Sequence, residues 1–440
     1  MGGSDGEWKP GLSARMAAAK IISAVIDKKT SLDGMMDAEH GNPAYRALNL
    51  ADRALVRAIV NSALRHLPRI EAAISMMLDG PLPQGARSLH HVLVVAVAQM
   101  LYLDVPDHSA VDLAVEQAHR DPRNKRFVKL VNAVLRRLGR EKDTVMAAIE
   151  AIAVLPDWFY GRLVKAYGEE TASRIAASQL LPSSIDITVK SDPAHWAQVL
   201  GGTVLPNGSV RLGAFEGQVS ALPGFAEGEW WVQDFSASIP VRLMGDLYGK
   251  RVADLCAAPG GKTAQLILAG AKVTALDQSG NRLKRLRANL ERLGFEAETV
   301  EANMLKFQPD ALFDAVLLDA PCSSTGTMRK HPDVSWTKDE KDIAKLATLQ
   351  EQMLRHAVTL VNDGGMIIFS NCSLDPSEGE EMVGRVLSSD PRLERVRVEA
   401  KDLPGMETAI NDDGDLRTIP DMFGGVDGFY ATVLRKKAAS

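Results

Sequence analysis

Apolar residues recur at helical spacing through the first 140 residues of the chain. Ile21 and Val25, for example, fall on one face of a helix, and residues 93–103 are almost wholly apolar, as in a helix buried on all sides. Strand-like alternation is absent here. The pattern therefore predicts an all-α domain over residues 11–142.

A helix is expected to begin just after Pro106. Pro106 and Asp107 precede a helical pattern that runs from Ser109 to Ala118. Serine is a preferred N-cap residue because its side-chain oxygen accepts a backbone N–H of the first turn. The sequence predicts that Ser109 is the N-cap.

The pattern changes near Pro156. Two short helices are predicted within residues 155–179. Alternating apolar positions in residues 183–191 and 201–212, the latter containing the turn sequence PNG, predict strands. We expect linker helices and a small α+β module over residues 143–228.

From residue 229 to 438, strand-like segments alternate with helical ones. Strands are predicted at RVADLCA, KVTALD, AETVEAN, FDAVLLDAP and GGMIIFSNC. Such alternation is typical of a mostly parallel, doubly wound sheet. The fold class is therefore multidomain, ending in an α/β, Rossmann-like domain.

Composition narrows the class of protein. The 440 residues are 46% hydrophobic and 24% charged, and no apolar run approaches the roughly 20 residues needed to cross a bilayer. The polar start lacks the apolar core of a signal peptide, so we expect a cytoplasmic protein without a membrane partner. Three cysteines do not make a disulfide framework, and no Cys/His spacing indicates a metal.

Charge is distributed unevenly. The net charge is −5, yet residues 1–150 hold 20 basic against 17 acidic residues, and residues 120–142 hold nine basic against two. Such a stripe is what phosphate contacts require. An ordinary solvated helix face is the alternative interpretation.

Carboxylates end three predicted strands, at Asp254, Asp277 and Asp319. Ligands bind at the carboxyl edge of such sheets. Gly260 and Gly261 follow the first strand and permit close approach of a ligand at a helix N-terminus. Asp277 is placed to accept hydrogen bonds from ribose hydroxyls. A glycine turn alone would indicate only a tight connection.

Two cysteines also follow predicted strands, Cys322 in LLDAPCSSTG and Cys372 in MIIFSNCSLDP. A thiolate is a strong nucleophile near neutral pH. The alternative is a buried, inert cysteine. Prolines and polar turn residues beside both favour exposed loops at the ligand edge.

Two other classes of function are compatible with parts of the sequence. GKT at 261–263 and AVLLD at 315–319 resemble the two motifs of a P-loop phosphohydrolase, but Cys256 stands where that loop needs a glycine. Alternatively, the helical domain is a binding module with an inactive sheet appended. Retention of the thiols and the three carboxylates argues against this second alternative.

Several motifs together resemble one family. DLCAAPGGKT, LLDAPCSSTGTMRKHPDVSW, SNCSL and GGVDGFYATVLRK are similar to the Sun/Fmu family of RNA 5-methylcytosine methyltransferases. DRALVRAIVNSALR and FVKLVNAVLRRLG are similar to the NusB-like domain that precedes the catalytic domain in the bacterial small-subunit ribosomal RNA enzymes. The resemblance covers almost the whole chain and implies 16S ribosomal RNA as substrate.

The resemblance implies that S-adenosylmethionine is bound by the residues that match the family's motifs: Cys256, Ala257, Ala258, Pro259, Gly260, Gly261, Lys262, Asp277, Asn303 and Asp319. One position departs from the pattern, because the family usually has an acidic residue where this chain has Asn303. We expect modestly weaker cofactor binding, since an amide oxygen still accepts a hydrogen bond.

The resemblance also implies the catalytic roles. Cys372 is the nucleophile that adds to carbon 6 of cytosine, and Cys322 assists removal of the carbon-5 proton and release of the enzyme. Asp319 and Lys262 hold the base. Asn371 replaces the family's usual threonine before the nucleophile.

The target base must be single-stranded or extruded from a helix. We expect the basic stripe, the small module, and Arg329, Lys330 and His331 to hold the flanking RNA. A monomer is expected.

Overall fold

The computed structural model describes residues 8–37, 39–83, 85–213, 215 and 217–438. The chain divides into two compact units. The helical unit comprises Met1–Gly161 together with Lys330–Asp339, and the sheet unit comprises Arg162–Arg329 together with Glu340–Ser440. Among the described residues, no helix is both long enough and apolar enough to cross a bilayer.

The helices are, in chain order, α1 (Leu12–Lys28), α2 (Leu32–Met35), α3 (Pro43–Arg46), α4 (Leu50–Arg65), α5 (Leu67–Met77), α6 (Arg87–Tyr102), α7 (Asp107–Arg120), α8 (Val128–Arg140), α9 (Lys142–Ile149), α10 (Asp157–Tyr167), α11 (Glu169–Ser178), α12 (Pro193–Val199), α13 (Ile239–Arg242), α14 (Gly261–Leu268), α15 (Gly280–Arg292), α16 (Val334–Thr337), α17 (Glu340–Leu360) and α18 (Glu380–Ser389).

The strands are β1 (Asp186–Val189), β2 (Thr203–Val204), β3 (Val210–Arg211), β4 (Trp230–Val232), β5 (Arg251–Leu255), β6 (Lys272–Asp277), β7 (Glu298–Glu301), β8 (Phe313–Asp319), β9 (Val361–Asn371), β10 (Leu393–Arg395), β11 (Leu416–Thr418) and β12 (Phe429–Lys436).

Helix α6 forms the centre of the helical unit. It packs against α1, α4, α5, α7 and α8, and Leu93 through Ala98 are all buried. The prediction of a helix buried on all sides is confirmed. Ile21 and Val25 of α1 are likewise fully buried in this core, as the apolar spacing predicted.

The predicted N-cap at Ser109 is wrong. Helix α7 begins at Asp107, and the backbone N–H of Ser109 donates to the carbonyl of Pro106 at 2.9 Å, inside the first turn. Pro106 is extended, so the chain enters the helix directly after it. Asp107 then lies in the first turn, where a negative charge favours the helix dipole.

The segment Lys330–Asp339 belongs to the helical unit although it is distant from it in sequence. Asp333 accepts the backbone N–H of Leu32 at 2.9 Å, and the indole N–H of Trp336 donates to the carbonyl of Leu64 at 2.8 Å. The chain therefore leaves the sheet unit after β8 and returns to it at α17.

The sheet unit contains a small antiparallel sheet with the strand order β2-β3-β1-β4. Strands β2 and β3 form the hairpin predicted around the PNG turn. Strand β4 pairs with β1, so this sheet extends past the predicted module boundary at residue 228. The division into three domains stays a prediction.

The large sheet has the order β10-β12-β9-β8-β5-β6-β7, and β11 also pairs with β12. All five predicted strands are present as β5 to β9 and pair in parallel, which confirms the doubly wound arrangement. Three further strands, β10, β11 and β12, add antiparallel pairs at one side. The carboxyl ends of the parallel strands form one edge, where the candidate residues lie.

Candidate active site

The loop between β5 and α14 turns sharply at its two ends. Strand β5 ends at Leu255, one residue later than predicted, and Cys256 and Gly260 both adopt left-handed backbone conformations, with φ of 64° and 103°. A non-glycine residue in this region is uncommon and is often found at functional sites. The N-terminus of α14 begins at Gly261, and no side chain caps it, so the loop presents backbone N–H groups at that edge.

Cys256 itself is unsuited to nucleophilic chemistry. Burial, followed by the neighbouring carboxylates of Asp319, Asp277 and Asp254, raises the pKa of its thiol to about 12. The group therefore stays protonated at neutral pH, and its contribution to the site is its backbone conformation.

Asp277 ends β6 and is almost completely buried. Its carboxylate accepts the backbone N–H groups of Ser279 at 2.9 Å and Ala258 at 3.3 Å, and it forms a 3.2 Å ion pair with Arg282. These contacts fix the carboxylate beside the loop after β5 and leave further lone pairs for a ligand.

Asn303 follows β7 and caps a short 3₁₀ turn. Its Oδ1 accepts the backbone N–H of Leu305 at 2.9 Å. One lone pair of this oxygen is thus already used, which leaves the second available to a ligand donor.

Lys262 and Asp319 form an ion pair. The Lys262 Nζ lies 2.8 Å from Asp319 Oδ2, and the hydroxyl of Ser370 in β9 donates to Asp319 Oδ1 at 2.9 Å. The Lys262 ammonium also lies 5.1 Å from the centre of the Phe429 ring. Contacts from α14, β9 and β12 therefore meet around the end of β8.

The thiols of Cys322 and Cys372 are in contact, with 3.4 Å between their Sγ atoms. The hydrogen bond between them is the main cause of opposite shifts: the pKa of Cys372 is lowered, and that of Cys322 is raised. One thiol donating to a neighbouring thiolate stabilises the charged form of the acceptor. In the resting protein the Cys372 thiol is therefore the easier of the two to ionise.

Asp254 lies beneath this edge and is fully buried. Its Oδ2 accepts the hydroxyl of Thr263 at 2.6 Å, while burial raises its pKa to about 7. Asp319 and Asp277 raise the pKa further by repulsion, and Lys262 lowers it. Three carboxylates thus converge here, as the strand ends predicted.

Two cavities flank the loop after β5, and together they are lined by every predicted site residue. The first, of about 240 Å³, is lined by these predicted residues: Cys256, Ala258, Asp277, Asn303, Asp319, Cys322 and Cys372. The second, of about 380 Å³, is lined by Ala257, Pro259, Gly260, Gly261 and Lys262, and also by Cys256, Ala258 and Asp319. Asp319 thus borders both cavities.

Leu276, Met304, Leu305 and Met353 supply apolar surface to the first cavity. Sequence patterns did not single them out, because apolar residues beside strand ends are common. They make one part of the cavity suitable for a flat, apolar group, with Asp277 and Asn303 as the polar residues nearby.

Sequence patterns also did not single out Glu378, a buried carboxylate behind the two cysteines. Glu378 accepts hydrogen bonds from Ser323 and Ser373, the residues that directly follow Cys322 and Cys372. Its sequence context, PSEGEE, contains three glutamates. Only the proximity to SNCSL pointed to this segment, and nothing in it distinguished the buried glutamate from its neighbours.

The residues expected to hold flanking RNA behave differently from one another. Arg329 is only 2% exposed, and its guanidinium contacts the Ser184 hydroxyl at 3.4 Å. The prediction that Arg329 contacts an RNA phosphate is wrong, because its side chain points into the interior of the sheet unit. His331 lies 3.4 Å from Asp33 within the helical unit, and Lys330 is half-buried.

The basic stripe is partly neutralised. Four of its members form ion pairs, namely Arg120, Arg123, Arg137 and Lys142. The other five are exposed, and within the described part of the chain they have no ion-pair partner: Lys125, Arg126, Lys129, Arg136 and Arg140. We call these five the α8 basic face. The spacing of the last three places them on one side of α8.

Comparison with known proteins gives matches along the chain. A family model described as 16S rRNA methyltransferase RsmB/F matches residues 246–435, and the NusB family model matches residues 12–140. Ribosomal RNA small subunit methyltransferase B of Vibrio vulnificus (strain YJ016) is 31% identical over 450 residues, covering 97% of this chain and 100% of that protein. The corresponding protein of Sodalis glossinidius is 32% identical and covers 97% and 98%.

A solved structure of a protein called PH0851 matches with a TM-score of 0.71 and 21% identity, and covers 98% of this chain and 100% of that one. It therefore shares the fold of the whole chain.

Proposed function

The chain belongs to the RsmB/F family of 16S rRNA methyltransferases, and from this premise we propose that it transfers a methyl group from S-adenosylmethionine to carbon 5 of a cytosine in 16S rRNA. The observation that carries the proposed chemistry is the 3.4 Å contact between Cys322 and Cys372 at the edge of a cavity that also contains Asp277 and Asp319. The phosphohydrolase alternative and the inactive-sheet alternative fail, because the family is one of methyltransferases.

The first cavity suits a nucleoside cofactor. Asp277 would accept the ribose hydroxyls, Asn303 would lie near the adenine, and the apolar wall formed by Leu276 and Met353 would cover the ring. Gly260, where a side chain would crowd Leu286, and the uncapped N-terminus of α14 border the second cavity. They would face the polar end of the cofactor. S-adenosylmethionine supplies an electrophilic methyl group when it is bound.

Cys372 is the proposed nucleophile. Its sulfur forms a bond to carbon 6 of cytosine, which makes carbon 5 electron-rich enough to accept a methyl group. The hydrogen bond from Cys322 lowers the pKa of Cys372, so that more thiolate is present at neutral pH. Asp319, held by Lys262 and Ser370, would orient the base and support protonation of its ring nitrogen.

Cys322 is assigned to the second half of the reaction. After methylation, carbon 5 still carries its proton, and removal of that proton lets the bond between carbon 6 and sulfur break. The electron pair of that bond returns to Cys372 as thiolate. Cys322 loses its own proton to solvent once Cys372 has become a thioether, because the hydrogen bond and the charge of Cys372 that raise the pKa of Cys322 in the resting protein are then gone, and the resulting thiolate takes the carbon-5 proton.

The α8 basic face is the proposed RNA contact of the helical unit. Exposed cations without ion-pair partners release counterions when they meet phosphates, and this release supplies much of the affinity for RNA. Since bacterial ribosomal RNA is made in the cytoplasm, we place the enzyme there. The monomeric state stays a prediction.

The test is transfer of labelled methyl from S-adenosylmethionine to 16S rRNA, followed by digestion and identification of the modified nucleoside. We expect 5-methylcytidine with the native chain and none with Cys372→Ala. A methylated base other than cytosine, or methylation at another ring atom, would overturn the proposed specificity.

A further inference from the structure

Glu378 lies in the 3₁₀ turn between β9 and α18, and its side chain is completely buried. Its Oε1 accepts the backbone N–H of Ser323 and the side-chain amide of Gln350, each at 2.9 Å. Its Oε2 accepts the hydroxyl of Ser373 at 2.6 Å and the hydroxyl of Ser323. All four donors are neutral groups, and together they occupy most of the lone pairs of the carboxylate.

These contacts join the two cysteine loops. Ser323 directly follows Cys322, and Ser373 directly follows Cys372, so one carboxylate holds the neighbour of each thiol. The loops are also joined directly, because the N–H of Gly326 donates to the carbonyl of Cys372 at 2.9 Å. Glu378 lines neither cavity.

We propose that Glu378 is a positioning residue that keeps the thiols of Cys322 and Cys372 in contact for the methyl transfer. The inference rests on the proposed function for its catalytic consequence, but the geometry it describes belongs to the resting protein. Placing reacting groups within hydrogen-bond distance is worth large factors in rate, and a 1 Å misplacement costs on the order of 10²-fold.

Removing Glu378 leaves the Ser323 N–H without its acceptor, and the Gln350 amide and both serine hydroxyls each lose one partner. The Gln350 amide still donates to Pro321 and the two hydroxyls remain 3.2 Å apart. The loops would therefore stay joined at Gly326 but shift apart at the thiols. The Cys372 thiol would then lose the hydrogen bonds from Cys322 and Ser324, which lie on the same loop, but keep Asp319 and Asp427 as neighbours. Both carboxylates raise the pKa of this thiol, so separation from Cys322 leaves it harder to ionise.

Two substitutions of Glu378 distinguish the effect of its hydrogen bonds from the effect of its negative charge. Glu378→Gln keeps Oε1 for the Ser323 N–H and Gln350, and its new amide can donate to the two serine hydroxyls, which rotate to accept. Glu378→Ala removes all four hydrogen bonds. Glu381→Ala is the matched control, because Glu381 lies three residues further on and is exposed.

The first readout does not depend on RNA or on the cofactor. Diamide takes two electrons and two protons from a pair of thiols in contact, which become a disulfide while diamide becomes the hydrazine. We expect the Cys322–Cys372 disulfide to form at least tenfold more slowly in Glu378→Ala than in the native chain. Glu378→Gln and Glu381→Ala should resemble the native chain.

The second readout is methyl transfer as a function of pH. For Glu378→Ala we expect kcat to fall about 10²-fold at pH 7, with the KM for S-adenosylmethionine within threefold of native. The acid limb of the kcat profile should move to higher pH, so that part of the activity is recovered near pH 9. Glu378→Gln should stay within about tenfold of native at every pH.

Equal disulfide rates and equal pH profiles for Glu378→Ala and Glu381→Ala would overturn the inference. A large fall in kcat for Glu378→Gln as well would show that the negative charge of Glu378 is needed. It would overturn the inference that the hydrogen bonds of this side chain position the two cysteine loops. If Glu378→Ala does not fold, Ser373→Ala, which removes one donor, should show a smaller change in the same directions. Failure of the native chain to methylate cytosine would count against the proposed function, while the diamide rates would still test the geometry.

Discussion

Lys262 in α14 and Asp319 at the end of β8 are joined by a 2.8 Å ion pair, in which the lysine side chain is only 10% exposed. The pair lies where the two cavities meet. A largely buried ammonium keeps its charge most easily beside a carboxylate. Each residue therefore fixes the other at the point where cofactor and base would approach.

Replacing Asp319 should slow catalysis. Asp319→Asn retains the shape of the side chain but removes the negative charge opposite Lys262, and we expect kcat to fall about 10²-fold, as when an electrostatic interaction with the reacting group is removed. Steady-state kinetics with 16S rRNA provide the measurement. Asp314→Asn, near the opposite end of the same strand and exposed, is the control. Full activity of Asp319→Asn would contradict the assigned role.

Asp254 should make the protein less stable as the pH rises. Its folded-state pKa of about 7 lies above the ordinary value of 3.8. A raised pKa means that the contribution to stability is complete below the unfolded pKa and is lost as the pH rises through the folded one. Asp254→Asn, which stays neutral, should therefore exceed the native chain in unfolding free energy by about 4 kcal/mol at pH 8 and match it near pH 4.

Urea denaturation at several pH values measures this difference. Asp310→Asn removes an exposed carboxylate and should show no such trend. A constant difference between Asp254→Asn and the native chain across the pH range would refute the raised pKa.

Asn303 should limit the affinity for the cofactor. Asp at this position would keep the hydrogen bond from the Leu305 N–H and offer a charged acceptor to the adenine amino group. Charge-assisted hydrogen bonds are about twice as strong as neutral ones, so we expect Asn303→Asp to bind S-adenosylmethionine about fivefold more tightly by calorimetry.

Gln278 lines the same cavity and is exposed, so Gln278→Glu adds the same charge away from the expected adenine contact. Equal gains in the two variants would show that the effect is a general attraction for the cationic cofactor and not a local hydrogen bond.

The α8 basic face should contribute to RNA binding. Changing Lys129, Arg136 and Arg140 together to Gln should weaken binding of 16S rRNA about tenfold to hundredfold at moderate salt. The slope of log affinity against log salt should fall by about 2, at roughly 0.7 to 0.9 for each phosphate that the protein no longer neutralises. Arg46→Gln, at an exposed position of α3, is the control. Unchanged affinity and slope would favour the solvated-face interpretation.

The parts of the site predicted from sequence were those fixed by local chain geometry. A strand followed by a glycine turn and a helix places Gly260 and Gly261 at the carboxyl edge of the sheet, whatever position that strand takes in the strand order. Parallel strands bring Asp277 and Asp319 to the same edge. The two cysteines follow strands β8 and β9, which pair directly, so their contact follows from the sheet order.

Other features depend on tertiary packing that one sequence does not reveal. Arg329 stands in a polar loop, and only the folded sheet unit shows that it turns inward. Glu378 has the same composition around it as its exposed neighbour Glu381. Strands β10 to β12 were not predicted. Within the fully described range 217–438, no α-helix separates β10, β11 and β12, and β12 pairs antiparallel with β9.

We propose that Cys372 forms the covalent bond to cytosine and that Cys322 releases it. The most direct measurement incubates Cys322→Ala with 16S rRNA and S-adenosylmethionine, isolates denaturation-resistant protein–RNA adduct, and locates the attachment by mass spectrometry. We expect the adduct to accumulate on Cys372 and to be absent from Cys372→Ala and from the double variant. An adduct on Cys322 in Cys372→Ala, with none in Cys322→Ala, would contradict this proposal.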